Sequence, residues 1–229
     1  MGFVELAAAF KFLSNADLVW HWGIFTRQVV LASWLALSLL AASYVLLIMP
    51  QPAHARRVWA QPGRVAVAGA WFALAAWFAT GIAGRSMGEL EPFLPPAEGG
   101  LTASAAPVAL PWRLNDYAAS LSDARATGKR VFIDFTGYTC TNCRWMEANM
   151  FTRPDVRAAL SGYILSRLFT DGDGPLYERQ QAFQQAQFKT VALPLYAIVD
   201  ADGHTVATLP GLTRDPSTFV AFLRRGLSR

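Results

Sequence analysis

The chain has little charge, few cysteines and few histidines for its 229 residues. Charged residues make up 16% of it, against about 25% in a typical soluble domain, and 53% of its residues are hydrophobic. This balance argues against a wholly soluble protein. Two cysteines are too few for a disulfide-rich scaffold. The net charge is +4, but no basic run exceeds two residues, so we expect no nucleic-acid partner.

The few charges are unevenly distributed. Residues 1–101 carry six Lys/Arg and five Asp/Glu, whereas residues 102–229 carry fourteen and eleven. The second half therefore has the composition of a globular domain, and the apolar excess belongs to the first half.

Two charge-free runs in the first half are long enough to cross a bilayer. The first, Val29 to Met49, has twenty-one residues and would rise about 31 Å as a helix. The second, Val65 to Gly84, has twenty residues. We predict a membrane segment over residues 1–86 with transmembrane helices at about 29–49 and 65–84. A buried helix of a soluble protein is the alternative, but such helices rarely lack charge for so long.

The loop between these runs indicates the orientation. It carries Arg56, Arg57 and Arg64 and no acidic residue, so the positive-inside rule places it in the cytoplasm. Both chain ends then face the periplasm. The stretch Ala53-His54-Ala55 resembles a signal-peptidase site, but the apolar run before it is too long for a signal peptide. Residues 3–13 are too short to span and resemble a helix end or an interfacial segment.

The rest of the chain divides into a linker and a domain. Residues 87–113 are rich in Pro, Gly, Ala and Ser, which predicts a linker. Residues 114–229 alternate helical and extended patterns, which predicts an α/β domain with a central mixed sheet flanked by helices. The predicted helices are 115–128 with Asn115 as cap, 154–160, 176–187 and one opened by Asp215 and Pro216; the predicted strands are 131–135, 163–169, 193–199 and 205–209.

A Cys-x-x-C motif lies between the first predicted strand and a helix. The strand runs into Gly137 and then Cys140, and Cys143 lies one helical turn further on. At a helix N-terminus, unpaired N–H groups and the helix dipole stabilise a thiolate and lower its pKa from about 8.5. We therefore expect Cys140 to be the nucleophile. Cys143 would resolve the mixed disulfide that Cys140 forms with a partner protein.

Two other interpretations of the cysteines are weaker. A zinc site would need two more ligands, and His21, His54 and His204 do not cluster with another candidate ligand in the sequence. A purely structural disulfide would close too small a loop to stabilise much. We expect a redox-active Cys140–Cys143 disulfide with no metal and no bound cofactor.

From Asn115 to the chain end, the predicted order of strands and helices resembles that of thioredoxin. Asp134 lies six residues before Cys140, where thioredoxin-like proteins carry a buried acid that helps move protons. Pro194 falls where the family has its cis-proline loop. Glu147, four residues after Cys143, matches an acid in the C-terminal domain of the DsbD family of thiol:disulfide interchange proteins. For each there is an ordinary alternative: a capping or solvated Asp, an exposed helical Glu and an edge-strand proline.

The membrane half resembles the same family. The run from Lys11 to Trp20, two spans and a thioredoxin-like domain are similar to the last part of DsbD proteins. In that family a membrane domain passes electrons from the cytoplasm to the outer domain, which reduces periplasmic proteins, including those of cytochrome c maturation. The resemblance implies a protein-disulfide reductase in the inner membrane, with disulfide-containing periplasmic proteins and the lipid bilayer as partners.

The sequence departs from the family pattern in two respects. Full members have more spans and a cysteine pair in the membrane domain, so we expect a separate membrane protein to donate electrons here. Tyr138-Thr139 replaces the usual tryptophan before the first cysteine. Two alternatives stay open: a thiol oxidase or isomerase that uses the same pair, and a non-catalytic fragment or assembly subunit of a larger electron transporter.

Overall fold

The computed structural model describes residues 2–49, 61–96 and 110–227, which form two compact units. One unit is built from the N-terminal helices and the other from the C-terminal α/β domain. Arg56, Arg57, the stretch 53–55 and the middle of the predicted linker lie outside the described residues.

Helices make up the N-terminal unit. Two of them are long and apolar enough to cross a membrane, judged by length and composition: Arg27–Ile48, with a mean hydropathy of 2.1, and Pro62–Ile82, with 1.8. The first helix does not end near residue 13 but continues to Trp20. The bounds are α1 Gly2–Trp20, α2 Arg27–Ser43 with a π-helical turn at Tyr44–Ile48, and α3 Pro62–Ile82. A 3-10 helix at Gly88–Phe93 follows α3 in the chain.

The first part of the predicted linker is packed against these helices. Met87 and Leu94 are buried with Leu31 and Phe78 in one apolar cluster. The composition of the segment predicts an extended linker, but its isolated apolar side chains find partners on α2 and α3. Met87 and Leu94, which lie within the predicted linker, are therefore part of a buried apolar cluster.

The C-terminal domain is a mixed sheet flanked by helices. In the described residues the strand order is β1-β3-β2-β4-β5. β3 runs parallel to β1 and β2, while β4 is antiparallel to β2 and β5. The bounds are β1 Trp112–Leu114, α4 Tyr117–Thr127, β2 Val131–Thr136, α5 Thr141–Trp145 with a π-helical turn at Met146–Met150, α6 Pro154–Leu160, β3 Ile164–Phe169, α7 Pro175–Phe188, β4 Leu195–Val199, β5 Thr205–Pro210 and α8 Pro216–Leu227.

β2 lies in the middle of the sheet and is buried along its whole length. Because side chains alternate across a strand, Phe132 joins the core on one face and Ile133 and Phe135 the core on the other. Phe219 and Phe222 of α8 cover the first face. β2 is thus packed between two apolar clusters, one on each face of the sheet.

Two boundaries differ from the sequence prediction. Trp112 and Arg113, placed in the linker, belong to β1 and pair with β3. Asn115 does not cap α4; the carboxylate of Asp116 does, accepting a hydrogen bond from Ala119 N–H at 2.9 Å. Asn115 instead has φ 56° and accepts from Phe169 N–H, so it ties the end of β1 to β3.

Candidate active site

The two cysteines form a disulfide at the point where β2 leads into α5. The S–S distance is 2.10 Å. Cys140 is the N-cap residue of α5, and its Sγ accepts a hydrogen bond from Cys143 N–H at 3.2 Å. Cys140 is partly exposed, whereas Cys143 is 1% exposed. The first sulfur is therefore the one that a partner molecule can reach, and the second is sheltered.

Pro194 lies at the same edge of the sheet. Leu195 pairs with Phe135 in the register of β2 and β4, so Pro194 stands beside the end of β2, where the loop to Cys140 begins. The Leu193–Pro194 peptide bond is cis, and Pro194 C=O accepts from Gly211 N–H at 2.8 Å. The fold thus brings Pro194 to the edge that carries the disulfide loop.

Asp134 is buried in β2 and paired with an arginine. Its Oδ2 lies 2.8 Å from Arg167 Nε, and the two residues face each other in the β2–β3 register. Burial raises the pKa of Asp134 from 3.8 to about 6, although Arg167 opposes the rise. Asp134 is therefore neither a helix cap nor a solvated group, and it can change protonation near neutral pH.

Glu147 joins the same charged cluster. Its Oε2 lies 2.7 Å from Arg144 Nη1, and its Oε1 lies 3.6 Å from Arg167 Nη1. Its side chain is 19% exposed. Arg167 thus bridges Asp134 and Glu147, and the ordinary alternative of a fully exposed helical glutamate does not hold.

Arg167 was not singled out from the sequence. It lies in β3 between buried residues, and its guanidinium stacks 4.3 Å above the ring of Trp112. The pKa of Arg167 is raised because Asp134 and Glu147 outweigh the effect of its burial. A lone arginine inside an apolar strand pattern is the one signal that could have indicated a buried ion pair.

Asp171 is a second residue of the site that the sequence analysis does not identify, because an acidic, glycine-rich loop before a helix is typical of an ordinary turn. Its carboxylate accepts hydrogen bonds from Tyr138 N–H and Thr139 N–H, the two residues that precede Cys140. The ring of Tyr138 stacks on Phe169, with ring centroids 4.2 Å apart. The loop before the nucleophile is therefore held by the segment that follows β3.

One cluster of potential metal ligands occurs among residues 2–49, 61–96 and 110–227. The side chains of Asp200, Asp202 and His204 bring their ligand atoms within 4.8 Å of one another at the turn between β4 and β5. The prediction that His204 stands apart from other ligands is thus wrong, because the turn folds Asp200 back onto it. The cluster is largely exposed, and both cysteines are bonded to each other.

Comparison with known proteins agrees with this geometry. Residues 112–201 match a family model described as thioredoxin-like. Thiol:disulfide interchange protein DsbD of Ralstonia nicotianae is 35% identical over 108 residues, which is 45% of this chain and 16% of that protein. DsbD 2 of Pseudomonas aeruginosa is 43% identical over 53 residues, 23% of this chain and 9% of that protein. The matched region thus spans less than a fifth of either relative.

A crystal structure of the oxidised C-terminal domain of DsbD from Neisseria meningitidis superposes on 48% of this chain and 90% of that domain. The sequence identity is 21% and the TM-score 0.41.

The match over residues 112–201, the mixed sheet and the Cys-x-x-Cys disulfide define the C-terminal domain as thioredoxin-like, of the thiol:disulfide oxidoreductase class. The similarity to the two DsbD proteins indicates which proteins of this class the chain resembles. The predicted resemblance to the C-terminal part of the DsbD thiol:disulfide interchange proteins is confirmed.

Proposed function

We propose that this chain is a membrane-anchored protein-disulfide reductase that delivers electrons to proteins outside the cytoplasmic membrane. The observation that carries the proposal is the asymmetry of the disulfide: Cys140 is partly exposed at the start of α5, and Cys143 is buried behind it. An accessible nucleophile with a sheltered resolving thiol suits exchange with large partners.

The reaction begins with the reduced pair. The Cys140 thiolate attacks one sulfur of a substrate disulfide, forming a mixed disulfide and releasing the other substrate sulfur as a thiolate. The Cys143 thiolate then attacks Cys140 Sγ, which regenerates the Cys140–Cys143 disulfide and releases the second substrate sulfur. Two electrons pass to the substrate, and the released thiolates take up two protons, one from the Cys143 thiol and one from solvent.

Asp134 is the proposed acceptor of the Cys143 proton. Its pKa of about 6 allows the carboxylate to take up and release a proton near neutral pH. Glu147 shares Arg167 with Asp134, so the charge of Glu147 influences the protonation of Asp134. Pro194, at the edge of the sheet beside the disulfide loop, would contact the substrate backbone.

The two apolar helices support a membrane location. We place the chain in the inner membrane with the C-terminal domain in the periplasm, which fits Arg64 at the start of α3 and the positive-inside rule. A separate membrane protein would supply the electrons. Periplasmic proteins with disulfides, including those of cytochrome c maturation, would receive them. A membrane-impermeant thiol reagent tests the orientation, because it should modify reduced Cys140 in intact cells.

The reduction potential tests the direction of exchange. A potential near −270 mV, typical of thioredoxin, would support a reductase, whereas one near −120 mV would identify a thiol oxidase. The purified full chain, once reduced, should also reduce insulin disulfides. A chain that exchanges with neither insulin nor glutathione would instead be a non-catalytic subunit.

A further inference from the structure

The loop that joins β2 to Cys140 is held by one carboxylate. Asp171 Oδ1 accepts a hydrogen bond from Tyr138 N–H at 2.7 Å, and Oδ2 accepts from Thr139 N–H at 2.9 Å. The Thr139 hydroxyl donates to the same Oδ2, also at 2.9 Å. Hydrogen bonds to a charged acceptor are stronger than neutral ones. Three of them on adjacent residues fix the backbone directly before the nucleophile.

Packing around the loop is equally close. A Cβ atom at Gly137 would lie 2.6 Å from the Asp171 carboxylate, so only glycine allows the carboxylate to approach here. The ring of Tyr138 stacks on Phe169, and its hydroxyl lies 3.1 Å from that of Tyr177. The loop before Cys140 is thus held by its hydrogen bonds to Asp171 and by the contacts of Tyr138 with Phe169 and Tyr177.

The charge of Asp171 is bound by the residue that directly precedes Cys140. Thr139 donates two hydrogen bonds to Asp171 Oδ2, from its N–H and from its hydroxyl, each at 2.9 Å. A negative charge near a thiol disfavours its thiolate form. In addition, the N–H groups of Tyr138 and Thr139 are already engaged by the carboxylate and cannot turn toward an anion at Cys140.

Other charged groups near the loop balance one another in part. Arg144 on α5 donates from Nη2 to Gly137 C=O at 3.4 Å, but its Nη1 is paired with Glu147. Asp134 on β2 is paired with Arg167. From α7 the loop meets the phenol of Tyr177. Asp171 is the acid whose carboxylate bonds the loop itself.

We propose that Asp171 is a positioning residue of the disulfide site: it fixes the loop that presents Cys140, and its charge opposes formation of the Cys140 thiolate, which keeps the pair reducing. A less stable thiolate destabilises the reduced dithiol form relative to the disulfide. A disulfide whose reduced form is less stable is a poorer oxidant, and its dithiol is a better reductant. The inference deepens the proposed reductase function and rests on it for the direction of exchange.

The test compares three variants of the full chain in detergent. D171N removes the charge but keeps an acceptor oxygen, and D171A removes both. D173N is the matched control, because Asp173 lies in the same loop, is exposed and makes no hydrogen bond or ion pair with the described part of the chain. The pH dependence of Cys140 alkylation by iodoacetamide is measured with Cys143 replaced by alanine. The equilibrium with glutathione is measured with both cysteines present.

We expect D171N to lower the pH midpoint of Cys140 alkylation by about half a unit or more. It should shift the glutathione equilibrium toward the dithiol by about threefold. D173N should match the wild type in both measurements. At a pH where Cys140 is fully ionised, D171A should exchange with a small disulfide about tenfold more slowly, and D171N should retain most of the rate.

A D171N chain whose Cys140 titrates like that of D173N, or that has lost its fold, would overturn the inference. So would a D171A chain that exchanges at the wild-type rate when fully ionised. These outcomes are distinct from failure of the proposed function. A wild-type chain that cannot reduce insulin would refute the reductase, yet its Cys140 would still titrate.

Discussion

Asp134 on β2 and Arg167 on β3 face each other across adjacent strands, with Oδ2 and Nε 2.8 Å apart, and neither side chain is more than 14% exposed. Removing one member of such a pair leaves an uncompensated charge in the core, which costs more than the pair itself contributes to stability. This pair therefore links the stability of the domain to the acid proposed to move protons.

Replacing Arg167 with Met should destabilise the domain by about 3–5 kcal/mol at pH 7, because Asp134 then stays buried without its partner. The loss should shrink at pH 4, where Asp134 is protonated. Urea unfolding at the two pH values measures this. R113M is the matched control: the Arg113–Asp123 pair is 50% and 36% exposed, so its loss should cost less than about 1 kcal/mol. Equal losses in R167M and R113M would contradict the prediction.

Asp134 should make the domain less stable as pH rises. Its pKa is raised by burial from 3.8 to about 6, so the folded state holds the proton more tightly than the unfolded chain does. The stabilising contribution is complete below pH 3.8 and is lost as pH rises through about 6, a change of about 3 kcal/mol. Unfolding free energies between pH 4 and 7 should show this decrease in the wild type and in D173N but not in D134N. A D134N chain that keeps the full decrease would show that another group is responsible.

The cysteines should have different roles under mutation. Cys140→Ser should abolish insulin reduction, because the accessible nucleophile is lost. Cys143→Ser should accumulate mixed disulfides with substrate, because the buried resolving thiol is missing. Insulin turbidity and non-reducing gels measure the two effects. Full reductase activity in either single variant would refute the assigned order of attack.

A residue larger than glycine at position 226 should destabilise the domain. A Cβ there would collide with Ile198 Cδ1 and would lie 2.5 Å from the Tyr163 hydroxyl, so α8 approaches the sheet closely only through this glycine. We expect Gly226→Ala to cost about 1–3 kcal/mol. Adding Ile198→Val, which removes the clashing methyl group, should recover part of that loss in thermal unfolding. If the double variant loses as much stability as the two single variants lose together, the collision is not the cause.

Local pattern was sufficient for much of the domain. The helix at Pro154–Leu160 matches its predicted bounds, and β2 extends one residue beyond its prediction. Apolar periodicity and turn residues mark such elements because they are properties of neighbouring residues. Spacing likewise sufficed for Cys140 and Cys143, since a strand that delivers two cysteines one helical turn apart needs no distant contact to be recognised.

The sequence by itself determined the two apolar helices, the alternation of strands and helices, and the cysteine pair, because all of these depend on residues close together in the chain. Only the tertiary structure decided what surrounds the pair. Asp134 and Arg167 are 33 residues apart, and Thr139 and Asp171 are 32 apart. The parallel pairing of β2 with β3 brings both partners to one edge of the sheet, and no periodicity in the sequence encodes that pairing.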